Sequence, residues 1–270
     1  MPKVEVGDIQ MYYVQEGEGP PLIMIMGFGG QHHSWGDETV QLLSRQFTTI
    51  RFDNRGTGKT DKPQVEYSIP MMADDAAGLL RALGIPKAHV YGVSMGGMIA
   101  QELALRHPGL VGGLVLGCTT PGWAHGVPPS PQVIELMLPQ PGLSREEQVR
   151  RSWPAICSPR FLEEGREFLE LMLRRSLEDP TPIDTLNRQA AAIQVFDTYE
   201  RLPQIKAPTL IIHGDQDVLV PVQNAYVLHE RIPYSELYII EGAGHVYFWE
   251  RPQEAAQRII QFLSTVPLAP

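Results

Sequence analysis

Short apolar runs rich in branched residues recur at residues 22–26, 48–52, 88–93, 110–116, 209–213 and 237–240. Most lack a clean polar alternation, the pattern expected of parallel strands covered on both faces. Between them apolar residues return at helical spacing, predicting helices over 36–47, 72–83, 95–107, 221–231 and 252–262. Strands alternating with helices predict an α/β fold with a mostly parallel, doubly wound central sheet flanked by helices. The start reads differently. Residues 4–6 and 10–14, joined through Gly7-Asp8, predict a small antiparallel hairpin on one edge.

One segment breaks the rhythm. Residues 121–203 hold many prolines, no strand pattern, and helical stretches around 131–138, 144–155, 159–177 and 183–199. The strand–helix alternation resumes at Thr209. The segment therefore reads as a helical cap, 121–203, inserted after the sixth strand into a core made of 1–120 and 204–270.

Composition adds exclusions. The 270 residues are 43% hydrophobic and 20% charged, a globular balance with a sizeable core. A net charge of −9, from 31 acidic against 22 basic residues without charge blocks, argues against nucleic acid and anionic membranes as partners. Cys118 and Cys157 are too few for a disulfide scaffold and read as free thiols. The amino-terminal residues lack the apolar stretch of a signal peptide, and the longest apolar run, 22–26, is far below the ~20 residues that span a bilayer. A soluble, cytoplasmic protein is expected.

The chemistry centres on Gly92-Val93-Ser94-Met95-Gly96. A bare G-x-S-x-G match arises by chance in roughly one such chain in ten. Here an apolar strand runs into it and an apolar helix runs out, the strand–turn–helix setting of an exposed nucleophilic serine. The alternative is a serine that merely caps the helix. A serine nucleophile needs a base, and His245 has the best setting, in the glycine-rich loop 241–245 between a strand and a helix. Such a loop belongs at the carboxyl edge of the sheet. The segment TLIIHGDQDVLVP supplies two carboxylates. The spacing of Gly214, Asp217 and Pro221 favours Asp217 as partner of the histidine, with Asp215 capping the turn. The backbone N–H groups of Phe28, in the Gly27-Phe28-Gly29-Gly30 turn, and of Met95 are the expected oxyanion donors. Gly27, Leu219 and Val246 are the expected substrate contacts. His32 and His33 read as solvated loop histidines, and no metal-ligand spacing surrounds them.

With these residues in view, the chain resembles the α/β-hydrolase superfamily, in its esterase and enol-lactonase-like branch, over nearly its whole length. The resemblance rests on MGFGG, FDNRGTGKT, YGVSMGGMIAQELALRHP, HGDQDVLVP and EGAGHVYFWERP. Many relatives have His-Gly where this chain has Met26-Gly27, which changes the back of the pocket and spares the backbone donor. The resemblance makes the Asp53, Arg55, Gly56 and Gly58 turn scaffold beside the site.

Together these readings imply a serine hydrolase that cleaves a carboxylic ester through Ser94, His245 and Asp217, with no metal or organic cofactor and a small-molecule ester or lactone as partner. An enol-lactonase is the nearest alternative and would need an inward basic group, for which the cap offers Arg145, Arg150, Arg151 and Arg160. Carbon–carbon bond hydrolysis runs on the same triad. A small-molecule receptor on this fold would keep the same motifs. A haloalkane dehalogenase would carry aspartate in place of Ser94.

Overall fold

The computed structural model describes residues 2–268. The amino-terminal hairpin forms from β1 (Lys3–Val6) and β2 (Ile9–Glu16), and β3 (Pro21–Ile25) follows. Strand and helix then alternate through α1 (Asp37–Ser44), β4 (Thr48–Phe52), α2 (Ile69–Ala82), β5 (Ala88–Val93), α3 (Met95–Arg106) and β6 (Val111–Gly117). Five helices come next: α4 (Pro131–Met137), α5 (Arg145–Ile156), α6 (Pro159–Glu164), α7 (Arg166–Glu178) and α8 (Ile183–Gln194). The alternation closes with β7 (Thr209–Gly214), α9 (Gln223–Arg231), β8 (Ser235–Ile240), α10 (Tyr247–Glu250) and α11 (Pro252–Leu263). No helix among the described residues is long and apolar enough to cross a membrane.

The eight strands form one sheet in the order β1-β2-β4-β3-β5-β6-β7-β8. The hairpin pairs antiparallel with itself and with β4, and every other pair is parallel. This is the mostly parallel α/β sheet that the alternation predicts, in the α/β-hydrolase fold that the resemblance implies.

Side-chain alternation along the central strands explains why their sequences look apolar throughout. Ile23, Ile25, Val90, Leu114 and Ile211 enter one core with α2 and α3. Leu22, Met24, Tyr91, Val115 and Leu210 enter the other with residues of α1 and α11. Neither face is left to water.

Strand order reverses at β3, which lies between β4 and β5. In open α/β sheets ligands bind beyond the carboxyl ends of the strands at such a switch point. The loops after β3, β5, β7 and β8 all leave the parallel sheet at that edge.

Beyond shifts of one to three residues at element ends, the structure differs from the sequence reading in four places. The stretch 159–177 is two helices, interrupted at Gly165. The stretch 183–199 ends as a helix at Gln194, and a 3-10 turn covers Tyr199–Gln204. His32–Trp35 is a 3-10 turn, and α10 follows His245 directly. The two 3-10 turns and α10 are one or two turns long, too short to show a helical period in sequence.

Candidate active site

Ser94 sits between β5 and α3 with φ 56° and ψ −124°, a strained region for a residue with a side chain. Its side chain makes no cap hydrogen bond to α3, so capping does not explain its presence. Two glycines make the turn sterically possible. A Cβ on Gly92 would lie 2.2 Å from the Gly96 carbonyl oxygen, and a Cβ on Gly96 would lie 2.0 Å from that of Ile25. The turn is held by the Ser94 N–H, which donates to Gly117 O at 2.9 Å, and by Thr119 Oγ1, which donates to Ser94 O at 2.8 Å. Met95 opens α3, so its N–H has no acceptor within the helix.

Asp217 follows β7, wholly buried within a cage of donors. Oδ1 accepts the N–H groups of Leu219 at 2.9 Å and Val220 at 2.8 Å. Oδ2 accepts from His245 Nδ1 at 2.7 Å. An ionised carboxylate only accepts, so the proton of a neutral His245 resides on Nδ1 and leaves Nε2 as a base. Burial alone would push the Asp217 carboxyl up. The charge of His245 and the hydrogen bonds from His213 and His245 outweigh that, holding its pKa at about 2 against the ordinary 3.8.

The turn after β3 closes through the Gly30 N–H, which donates to Gly27 O at 3.2 Å. Gly29 takes φ +65°, which glycine adopts freely in the third position of such a turn. A Cβ on Gly27 would lie 3.0 Å from Ser94 Cβ, so turn and serine are in close approach.

Two cavities meet at Ser94. One, of about 240 Å³, is lined by Ser94, His245, Gly27, Cys118, Val246 and Trp249 among others. The second, of about 320 Å³, runs past Met95 and Met98 to Trp123, Ile134, Leu186 and Ala190. Phe28, Ser94, Met137 and Leu219 line both. Among the described residues, no Lys, Arg, Asp or Glu lines either cavity, and no hydrogen bond joins Ser94 Oγ to His245. The arrangement provides a hydroxyl and an oriented imidazole beside two largely apolar cavities without charged lining.

Residues 22–258 match the model of the alpha/beta hydrolase family. The chain belongs to that family. Among relatives of this alpha/beta hydrolase is the "Putative carbamate hydrolase RutD" of Agrobacterium fabrum, 29% identical over 250 residues that cover 92% of this chain and 94% of the relative. Est816, described as an N-acyl homoserine lactone degrading enzyme, is 30% identical with a TM-score of 0.81, covering 97% of this chain and 100% of that one. A thermophilic esterase from Thermogutta terrifontis is 25% identical with a TM-score of 0.83, covering 98% of both chains.

The hydrolase also settles its secondary candidates. Asp215 Oδ1 accepts the Gly242 N–H at 2.7 Å, tying the loop after β7 to the loop after β8. His32 and His33 are not solvated loop residues. His32 Nδ1 lies 2.8 Å from the buried Asp53, and His33 Nε2 lies 3.0 Å from Gln31 Oε1. Arg55 is buried between Asp75 and Asp8, so this turn braces β1, β2 and α2. Both cysteines are free and buried, and burial pushes both thiols up. Arg145 donates to Thr181 O, Arg150 pairs with Glu146 and Glu170, Arg151 donates to Glu135 O, and Arg160 pairs with Glu164. None of the four lines a cavity.

Three supporting residues escape a sequence reading. His213, at the end of β7, approaches Asp217 from behind. Ser158 donates to Glu250 twice, from its N–H to Oε1 at 2.9 Å and from Oγ to Oε2 at 2.5 Å, and the Val246 N–H donates to Ile156 O at 3.1 Å, pinning the His245 loop to the α5–α6 corner. Gln189 of α8 meets the turn after β3. Their partners lie 4, 92 and 160 positions away. Only His213, the first residue of HGDQD, has a local signal: a buried imidazole four residues from a carboxylate.

Proposed function

We propose that this alpha/beta hydrolase is a serine hydrolase that cleaves neutral carboxylic esters carrying an apolar group. The observation that carries the reading is the uncharged double cavity at Ser94, with His245, held from behind by Asp217, on its wall.

In this mechanism His245 Nε2 takes the Ser94 proton as Oγ attacks the ester carbonyl, and Asp217 holds the imidazole's tautomer and stabilises its charged form. The Phe28 and Met95 amides stabilise the oxyanion, each worth about 3 kcal/mol in comparable enzymes. The tetrahedral intermediate collapses, and His245 returns its proton to the departing alcohol. Water, deprotonated by His245, then releases the acid and restores Ser94. Because His245 lines only the smaller cavity, the alcohol departs there and the larger cavity takes the acyl group. In the same reading the helical segment 121–203 caps the core, since α4 and α8 supply most of the larger cavity's far wall.

The absence of cationic lining speaks against an anionic enol-lactone, for which a buried arginine would be needed. A second reading keeps the chemistry: a neutral lactone bearing an acyl chain, of the kind that Est816 is described as degrading, whose chain would fill the larger, apolar cavity.

The test is hydrolysis of p-nitrophenyl esters from acetyl to octanoyl, with the hemisuccinate as anionic control, by wild type and Ser94→Ala. Turnover of the neutral esters that vanishes in the variant, with the hemisuccinate poorly used, is the expected result. Preference for the hemisuccinate would overturn the neutral-substrate reading. Tight ligand capture without turnover would favour a receptor.

A further inference from the structure

The turn that carries Phe28 is bonded on both sides by side chains from the segment between β6 and β7. Gln189 Oε1 accepts the Gly29 N–H at 2.9 Å, and Thr181 Oγ1 donates to Gly29 O at 3.1 Å. Both side chains are fully buried. The far end of the Gln189 amide faces Arg55 O at 3.5 Å. One neighbour is a donor and the other an acceptor, so both demand the same amide orientation. Above the turn, a Cβ on Gly29 would lie 2.8 Å from Leu186 Cδ2.

The central peptide of a hydrogen-bonded turn is the unit that flips between turn types, and a glycine at the third position lowers the cost of either state. Here that peptide joins Phe28 to Gly29. Its N–H is the group that Gln189 accepts; a flip, through ψ of Phe28 and φ of Gly29, would break that bond and free the turn, with the Phe28 N–H on the preceding peptide, to shift. The opposite face of Gly29 is held by Thr181. The turn therefore has little means of its own to fix the direction of the Phe28 peptide, and α8 supplies it.

We infer that Gln189 is a positioning residue for hydrolysis: by holding the Phe28–Gly29 peptide from α8 it keeps the Phe28 N–H aimed at the oxyanion. The inference rests on the serine-hydrolase reading for its catalytic consequence, while the clamp itself is a property of the turn. Gln189 touches neither cavity and acts through Gly29.

The experiment compares Gln189→Met, of similar length but without the acceptor, and Gln189→Glu, which keeps one. Rates on p-nitrophenyl butyrate are taken per site titrated with a fluorophosphonate, and amide hydrogen exchange is followed at residues 27–31. In Gln189→Met, kcat per titrated site falls about 10- to 100-fold, less than or comparable to deleting a donor outright. KM stays within about threefold, because ground-state binding is untouched. Exchange at Gly29 rises about tenfold or more. Gln189→Glu, kept protonated by burial so that it accepts from Gly29 and donates to Arg55 O, recovers most of kcat. An unchanged kcat per titrated site in Gln189→Met overturns the inference, even if its melting temperature drops. So does unchanged Gly29 exchange. If wild type reacts with neither ester nor fluorophosphonate, the hydrolase reading fails, and exchange alone still decides the clamp. If Gln189→Met does not fold, Thr181→Val, which removes one hydroxyl, must raise exchange in the same turn, and unchanged exchange there refutes the clamp.

Discussion

His213 Nε2 lies 3.1 Å from the same Asp217 oxygen that His245 approaches, and 2.7 Å from the Val220 carbonyl oxygen. Because Val220 O only accepts, Nε2 carries the proton and donates to both oxygens. Asp217 is thus oriented by two backbone amides and two imidazoles. Replacing it should be far more costly than removing one donor. Asp217→Asn is expected to lower kcat by ~10⁴, the size of the corresponding change in a serine-protease triad. His213→Phe should lower it about tenfold, as for loss of one hydrogen bond to a charged group. Steady-state kinetics with active-site titration separates the two.

Asp217 also ties stability to acid. Its folded pKa of about 2 lies below the ordinary 3.8, so the unfolded chain takes up the proton first as pH falls. The stabilisation is complete above about pH 4 and is lost as pH falls toward 2, amounting to ~2 kcal/mol. Chemical denaturation between pH 5 and 2 should therefore show a shallower acid loss in Asp217→Asn than in wild type. Equal slopes would mean that the carboxylate is not ionised in the folded state.

Gly96 offers a purely steric prediction. A methyl group there would lie 2.0 Å from Ile25 O, a main-chain atom that cannot swing aside. Gly96→Ala should cost more than about 3 kcal/mol, placing it among the severe substitutions, and should remove activity with stability. Thermal melting would reveal the loss. Gly109→Ala, where a Cβ meets nothing within 4 Å, is the control and should melt near wild type.

The strand–helix order was readable because the buried strands are apolar on both faces and the helices that cover them are amphipathic. Ser94, Asp217 and His245 stood out because each falls where a strand pattern stops and a glycine-rich turn begins. The segment between β6 and β7 was less readable. Gly165 interrupts a period that otherwise continues from Phe161 to Leu173, and nothing in the pattern says that a glycine there breaks the helix. Gln189 and Ser158 were invisible for another reason. Their roles are hydrogen bonds to residues 160 and 92 positions away, which leave no local period.

Ala190 lines the larger cavity one residue beyond Gln189. Ala190→Trp should shorten the preferred acyl chain, lowering kcat/KM for the octanoyl ester at least about tenfold and for acetyl less than about threefold. A chain-length series reads this directly. Equal losses across the series would reassign the acyl group to the smaller cavity.

Cys118 and Cys157 should resist a thiol-reactive aromatic disulfide at pH 8 while the protein is folded, since burial keeps both protonated and shielded. Two thiols should react on unfolding. Rapid labelling of Cys118 in the native protein would mean that the smaller cavity opens to solvent more widely than its lining implies.

The contacts of Ser158 with Glu250 and of Gln189 with Gly29 set a rule for protein engineers. Exchanging the segment between β6 and β7 with that of another hydrolase would alter more than the shape of the pocket. A graft lacking a serine and a glutamine at those two places would leave the histidine loop and the first turn without their braces. A chimera could then fold, bind its new substrate and still turn it over slowly. Restoring two polar residues, neither of them in contact with substrate, is where its repair would begin.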